Sequence, residues 1–189
     1  CPRIRPMTAE DCMREIEKQI PFIRGVTVSG GECTLHRDFL LALARLVRVR
    51  GLGFLLDSNG NYDFSADSEL LNAIDGVMLD VKAWDEAEHI RLTDCSNRMV
   101  LRNLRFLAQA GKLEEVRTVV VPELMNAEAT VRSVCETLCA MDAQNVRYKL
   151  IRFRPMGVRA EYRNLAVPPE TLMRKLEAVA HSMGIKNTV

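Results

Sequence analysis

Short polar clusters at the ends of apolar runs carry the chemistry that this sequence can do. Ser29-Gly30-Gly31-Glu32 follows Val26-Thr27-Val28, Asp57-Ser58-Asn59-Gly60 ends a second run, Asp80-Val81-Lys82 a third and Arg152-Phe153-Arg154 another, while Arg117 lies inside the run 116–121. An apolar strand that opens into two consecutive glycines can bring bare backbone close to a ligand. Glu32 adds one carboxylate at that mouth. Carbonyls beside a fixed carboxylate suit an ammonium group, which offers three donors and a positive charge. Taken alone, the tetrad is better read as a tight strand-to-helix turn with a solvated Glu32, so the residues around it must decide. Asp80 is harder to explain by packing, because a carboxylate inside an apolar run requires a partner. A structural ion pair with Lys82 or Arg117 is one account of Asp80, and a site residue at a strand end is the other.

The elements that would position these clusters alternate along the chain. Mostly apolar runs at 25–29, 52–57, 76–81, 116–121 and 146–153 read as strands covered on both faces. Helical periodicity and end signals place helices at 8–19, opened by Thr8, at 38–50, closed by Gly51, and at 67–74. Further helices are expected at 86–92, at 98–110 before Gly111, at 127–141 and at 169–183 before Gly184. Repeated βα units predict an α/β fold with a parallel sheet, right-handed crossovers and helices outside it. In such sheets and barrels ligands bind at the C-terminal ends of the strands, where these polar clusters fall.

Composition narrows the possibilities. A chain of 189 residues, 48% of them hydrophobic, is long enough for one substantial core, and one domain over 1–189 is the expectation. Net charge is +1 with both signs mixed along the chain, which supports neither a nucleic-acid partner nor an anionic membrane. The apolar stretches are strand-sized and Cys1-Pro2-Arg3-Ile4-Arg5-Pro6 is not a signal peptide, so a cytoplasmic protein is expected. The six cysteines show no secreted-scaffold spacing. Cys135 and Cys139 could begin an iron–sulfur ligand set, but no cysteine follows Cys139 and a cluster needs three or four thiolates. Their helical spacing instead places both on the buried face of a helix.

In order along the chain, five motifs resemble the radical S-adenosylmethionine enzymes, and within them the activating enzymes of glycyl-radical enzymes such as pyruvate formate-lyase. They are 25–32, Leu56-Asp57-Ser58-Asn59-Gly60, Met78-Leu79-Asp80-Val81-Lys82, Leu92-Thr93-Asp94-Cys95-Ser96-Asn97 and Val116-Arg117-Thr118-Val119-Val120-Val121-Pro122. The resemblance implies a partial (β/α) barrel of TIM-like type, with Gly30, Gly31 and Glu32 holding the amino group of S-adenosylmethionine and Ser29 also among the cofactor-binding residues. It also implies that Asp57, Ser58, Met78 and Asp80 hold a monovalent cation near the cofactor's carboxylate, which suits a hard ion. Lys82 and Arg117 would contact the cofactor or the incoming glycyl loop. Arg154, three residues before Gly157, stands where the family carries a cofactor-contacting His.

The family's mechanism is reductive cleavage of S-adenosylmethionine by a [4Fe-4S] cluster, giving a 5′-deoxyadenosyl radical that abstracts hydrogen from a glycine of the partner. A flavodoxin or ferredoxin supplies the electron. The family's Cys-x-x-x-Cys-x-x-Cys loop should follow a strand before Gly25, and no such spacing occurs in these 189 residues. The sequence therefore reads as a piece of a longer protein that lacks the first βα unit, inactive by itself, with no catalytic residue of its own. Cys1-Pro2 is similar to the end of a ferredoxin-type cysteine run. On that reading Cys1 is the last ligand of an upstream auxiliary cluster and 1–7 a remnant of its module, the alternative being an ordinary cysteine. Two rival functions are a Schiff-base lyase with Lys82 as nucleophile near Asp80, which leaves Gly30-Gly31-Glu32 unexplained, and a non-enzymatic docking scaffold.

Overall fold

The computed structural model describes residues 5–189; the reading of Cys1 as a cluster ligand falls outside them. Five strands, β1 (Gly25–Val28), β2 (Gly53–Ser58), β3 (Gly76–Asp80), β4 (Leu113–Val120) and β5 (Arg147–Arg152), form one parallel sheet in the order of the chain. Helices α1 (Ala9–Glu17), α2 (Arg37–Val49), α3 (Ser68–Ala73), α4 (Glu86–Thr93), α5 (Arg98–Gln109), α6 (Ala127–Ala140) and α7 (Glu170–Ser182) precede, connect and follow the strands. Sequential parallel order with right-handed crossovers puts every connecting helix on the same side of the sheet. That is barrel-type rather than doubly wound topology. The backbone of Asn187 and Val189 bonds to Tyr148 and Leu150 and so extends the sheet beyond β5.

The helix signals act as read. Thr8 Oγ1 accepts from the Asp11 amide at 3.1 Å and Asp11 Oδ2 accepts from the Thr8 amide at 2.9 Å, a reciprocal cap that opens α1. The sheet's faces differ from the expectation of cover on both sides. Burial alternates along β2 and β5: Phe54, Leu56, Tyr148 and Leu150 are buried, while their neighbours Leu55, Asp57, Lys149 and Ile151 are half-buried. The first set packs with Leu40, Leu104, Leu107, Val134, Cys135, Leu138 and Leu176 into one core. Each fully buried side chain of this kind contributes roughly 1.5–3 kcal/mol. The second set lines the uncovered face. β4 also begins three residues earlier than the run 116–121, because Glu115 enters the sheet paired with arginines.

Two local devices fix the loop that follows β2. Asn103 on α5, fully buried, donates from Nδ2 to the carbonyls of Gly60 (2.8 Å) and Tyr62 (2.6 Å). Gly60 itself has φ +80°, and a Cβ there would lie 2.7 Å from Leu79 Cδ1. Gly60→Ala should destabilise the chain by roughly 1–3 kcal/mol, measured by urea unfolding.

Asp67 caps α3 through the Leu70 amide (3.0 Å) and receives Arg37 and the Tyr62 hydroxyl. The hydrogen bonds from Arg37 hold its carboxyl well below the usual carboxylate range, against the opposing effect of burial. A depressed folded value contributes stability above the unfolded value of about 4 and loses it as pH falls. Midpoints of urea unfolding should therefore drop from pH 5 to pH 2 more in the wild type than in Asp67→Asn.

Candidate functional site

The loop after β1 is built around two left-handed glycines. Gly30 and Gly31 have φ +101° and +55°, and a Cβ at either would meet no atom within 4 Å, so space lies open beside this backbone. Among the described residues neither carbonyl accepts a hydrogen bond. Glu32 is bound internally rather than solvated. Its Oε1 accepts from the Thr34 hydroxyl (2.7 Å), the Thr34 amide (3.3 Å) and the Ser58 hydroxyl (3.0 Å), and its Oε2 from the Asn59 amide (2.7 Å). The carboxylate thus ties the loop after β1 to the end of β2. An ionised carboxylate offers about four acceptor sites, and only one partner occupies Oε2.

A second set of bonds crosses the uncovered face. Ser29 Oγ donates to Asp57 Oδ2 at 3.0 Å, and Arg117 Nη1 donates to the same oxygen at 2.7 Å. Arg117 Nε donates to Glu115 Oε1 at 2.5 Å and Nη2 reaches Met78 Sδ at 3.1 Å. Burial works against the Arg117 charge, but the hydrogen bonds to Glu115 and Asp57 outweigh it and raise its pKa. Asp80 pairs with Lys82 Nζ at 2.6 Å. Of the two ion pairs considered for Asp80, the structure makes the one with Lys82. Lys82 thus has a carboxylate partner at the strand end, which accounts for it without a nucleophilic role.

Ser29, Asp57, Met78 and Arg117 are thus brought into one bonded set, with Asp80 and Lys82 beside it on the same edge. The Ser58 hydroxyl is buried and turned to Glu32, away from Asp57. Arg154 is exposed, and among the described residues its side chain has no hydrogen-bonded partner, so no bond joins it to the set. Next to Lys82, a cavity of about 250 Å³ is lined by Val119, Val121, Phe153, Tyr162 and Leu165.

Three further residues hold the strand-end loops and Arg117: Asn97, which ends the motif 92–97 but has no role assigned from sequence, and Asn103 and Glu115, which lie in no motif. Asn97 donates from Nδ2 to the carbonyls of Ala83 (3.2 Å) and Trp84 (2.6 Å) and so holds the loop after β3, as Asn103 holds the one after β2. Glu115 orients Arg117. An Asn at the start of α5 and another among its apolar inner positions, and a Glu two residues before a strand Arg, are the signals that could have found them.

Residues 1–133 match the model of the Radical SAM superfamily. The chain belongs to this superfamily. It is 31% identical to a protein of Haemophilus influenzae described as a glycyl-radical enzyme activating enzyme, over 90% of this chain and 73% of that protein. It is 32% identical to the pyruvate formate-lyase-activating enzyme of Streptococcus mutans, over 76% of this chain and 56% of the relative. The pyruvate formate-lyase 1-activating enzyme of Escherichia coli is 29% identical, over 96% and 79%. A crystal structure of a domain of pyruvate-formate lyase-activating enzyme from Bacteroides vulgatus superposes with a TM-score of 0.73 at 20% identity, covering 87% of this chain and 97% of that one. Within the radical SAM superfamily the chain therefore belongs to the glycyl-radical enzyme activating enzymes, and its sheet is the partial barrel of that fold.

This family uses S-adenosylmethionine and an iron–sulfur cluster. The mouth fits the first: free carbonyls at Gly30 and Gly31, a fixed carboxylate and open space suit its α-ammonium. It does not fit the second. Among the described residues no group of three His, Cys, Asp or Glu side chains could hold a metal ion. Cys135 is fully buried in the core, and Cys139 Sγ bonds to the Met183 carbonyl at 3.1 Å.

Burial, with smaller effects from nearby charges, pushes the Cys33 thiol up to about 11 and the Cys135 thiol to about 12. Both stay neutral and unreactive at pH 8. Exposed Cys95 should alkylate with iodoacetamide at least tenfold faster than either, read by peptide mass spectrometry, and urea should abolish the difference.

Proposed function

We propose that this chain carries the S-adenosylmethionine mouth of an activating enzyme that installs a glycyl radical on a partner such as pyruvate formate-lyase. One observation supports the reading above others. Glu32 and Arg117 tie together the strand-end residues of four of the five motifs, so that Ser29, Gly30, Gly31, Asp57, Met78 and Arg117 share one edge, with Asp80 and Lys82 next to them. The Gly30 and Gly31 carbonyls and Glu32 Oε2 would take the cofactor's ammonium. Asp57, Met78, Asp80 and the backbone of Ser58 would hold a monovalent cation beside the cofactor's carboxylate. Lys82 and Arg117 keep carboxylates neutralised at the mouth, and Arg154 on the far rim would close over the cofactor.

When bound, S-adenosylmethionine supplies a sulfonium whose reductive cleavage starts the radical chemistry; these residues bind it, orient it and exclude water. The cluster ligands would come from an upstream βα unit pairing with β1, whose outer edge has no strand partner among the described residues. A flavodoxin or ferredoxin would deliver the electron, in the cytoplasm. The partner's glycyl segment would enter along the uncovered face beside Val119 and Phe153. No described helix is long and apolar enough to cross a membrane.

Calorimetry of this chain with S-adenosylmethionine should give a weak but saturable isotherm, lost in Gly31→Val. No 5′-deoxyadenosine should form under reducing conditions. A wild-type chain that binds no S-adenosylmethionine, or one that cleaves it unaided, would sink this reading.

A further inference from the structure

We propose that Glu115 is a positioning residue for the cofactor mouth, acting through the Arg117 guanidinium on Asp57; this rests on the function proposed above. Strand register alone would send Arg117 elsewhere. Its direct neighbour on β3 is Asp80, whereas Asp57 lies on β2, two strands away, opposite Met78. The guanidinium nevertheless crosses β3 over Met78 to reach Asp57.

What turns it is Glu115, two residues earlier on the same strand and so on the same face. A guanidinium is planar, with donors fixed in a fork. Once Nε is bonded to Glu115 Oε1, the two terminal nitrogens can point only across the sheet, one to Asp57 and the other to Met78. Glu115 is itself 2% exposed, and its other oxygen accepts from Arg147 Nη1 on β5 at 3.1 Å. The carboxylate is therefore held from both sides.

Charge follows the same geometry. With Glu115 anionic, the positive charge of Arg117 is divided between two carboxylates, and Asp80 is left to Lys82. Without that charge Arg117 has only Asp57 and Asp80 to neutralise it, and the arginine competes for both with the cation that would sit beside the cofactor's carboxylate. A residue that merely stabilised the sheet would lower the unfolding temperature and leave affinity in the folded chain unchanged.

Glu115→Gln keeps the size and one acceptor and removes the charge. Calorimetry well below the unfolding temperature should show S-adenosylmethionine bound about tenfold more weakly than by wild type, a shift of roughly 1.4 kcal/mol. The double variant Glu115→Gln/Arg117→Gln should bind no more weakly than Arg117→Gln alone, since both act in one path. The wild-type chain supplies a readout that needs neither variant nor ligand: the Arg117 Nε–H should give a slowly exchanging NMR signal. Unchanged affinity in folded Glu115→Gln, additive losses in the double variant, or a rapidly exchanging Nε–H would each overturn the proposal. If wild type binds no S-adenosylmethionine the function itself fails, and the NMR signal still decides whether Glu115 holds Arg117.

Discussion

Ion pairing across the uncovered face of the sheet is the constraint on which the rest of this structure depends. Five parallel strands in sequential order carry their helices on one side, which leaves the other side half-buried and half-solvated. Charges on such a face are taken partly out of water, and they persist only if paired or hydrogen-bonded. Asp57, Asp80 and Glu115 are each paired, with Arg117, Lys82 and Arg147 as partners. The face is therefore near neutral in its depth while remaining rich in groups that a polar ligand can use at the rim.

The same logic explains why Glu32 matters beyond its own charge. It accepts four hydrogen bonds, two from the amide and hydroxyl of Thr34 in its own loop and two from the end of β2, the Ser58 hydroxyl and the Asn59 amide. Losing them would free two loops at once. Asn97 and Asn103 act in parallel from behind, each clamping two carbonyls of a strand-end loop from the helix layer. The mouth is thus held by polar groups on the loops and braced by buried amides beneath. Among the described residues the backbone carbonyls of Gly30 and Gly31 are left unclaimed, open to a ligand donor.

Legibility in the sequence was uneven, for physical reasons. Element order was readable because period and end signals are local: Thr8 and Asp67 cap helices by bonding amides three residues ahead. The parallel sheet followed from the βα alternation. Cover on one face rather than two was not readable from runs such as Gly53–Ser58, because Leu55 on the open face is as apolar as Leu56 in the core. Of the candidate site residues, Asp57, Asp80 and Lys82 stood out by their place at strand ends and Arg117 as a charge inside an apolar run. Arg154 fell at a strand end too, yet among the described residues no bond joins its side chain to the others.

By itself the sequence determined the family, the order of strands and helices and the strand ends at which polar groups gather, since these rest on local period, capping and motif spacing. Tertiary structure decided the pairings. Arg117 reaches Asp57 past Met78 on β3 while its Nε is bonded to Glu115, and Glu32 meets Ser58 only because β1 and β2 are neighbours in register. Apart from the Glu115–Arg117 bond, which spans two positions, those contacts join residues 26 to 60 positions apart, a separation over which no local pattern specifies a partner.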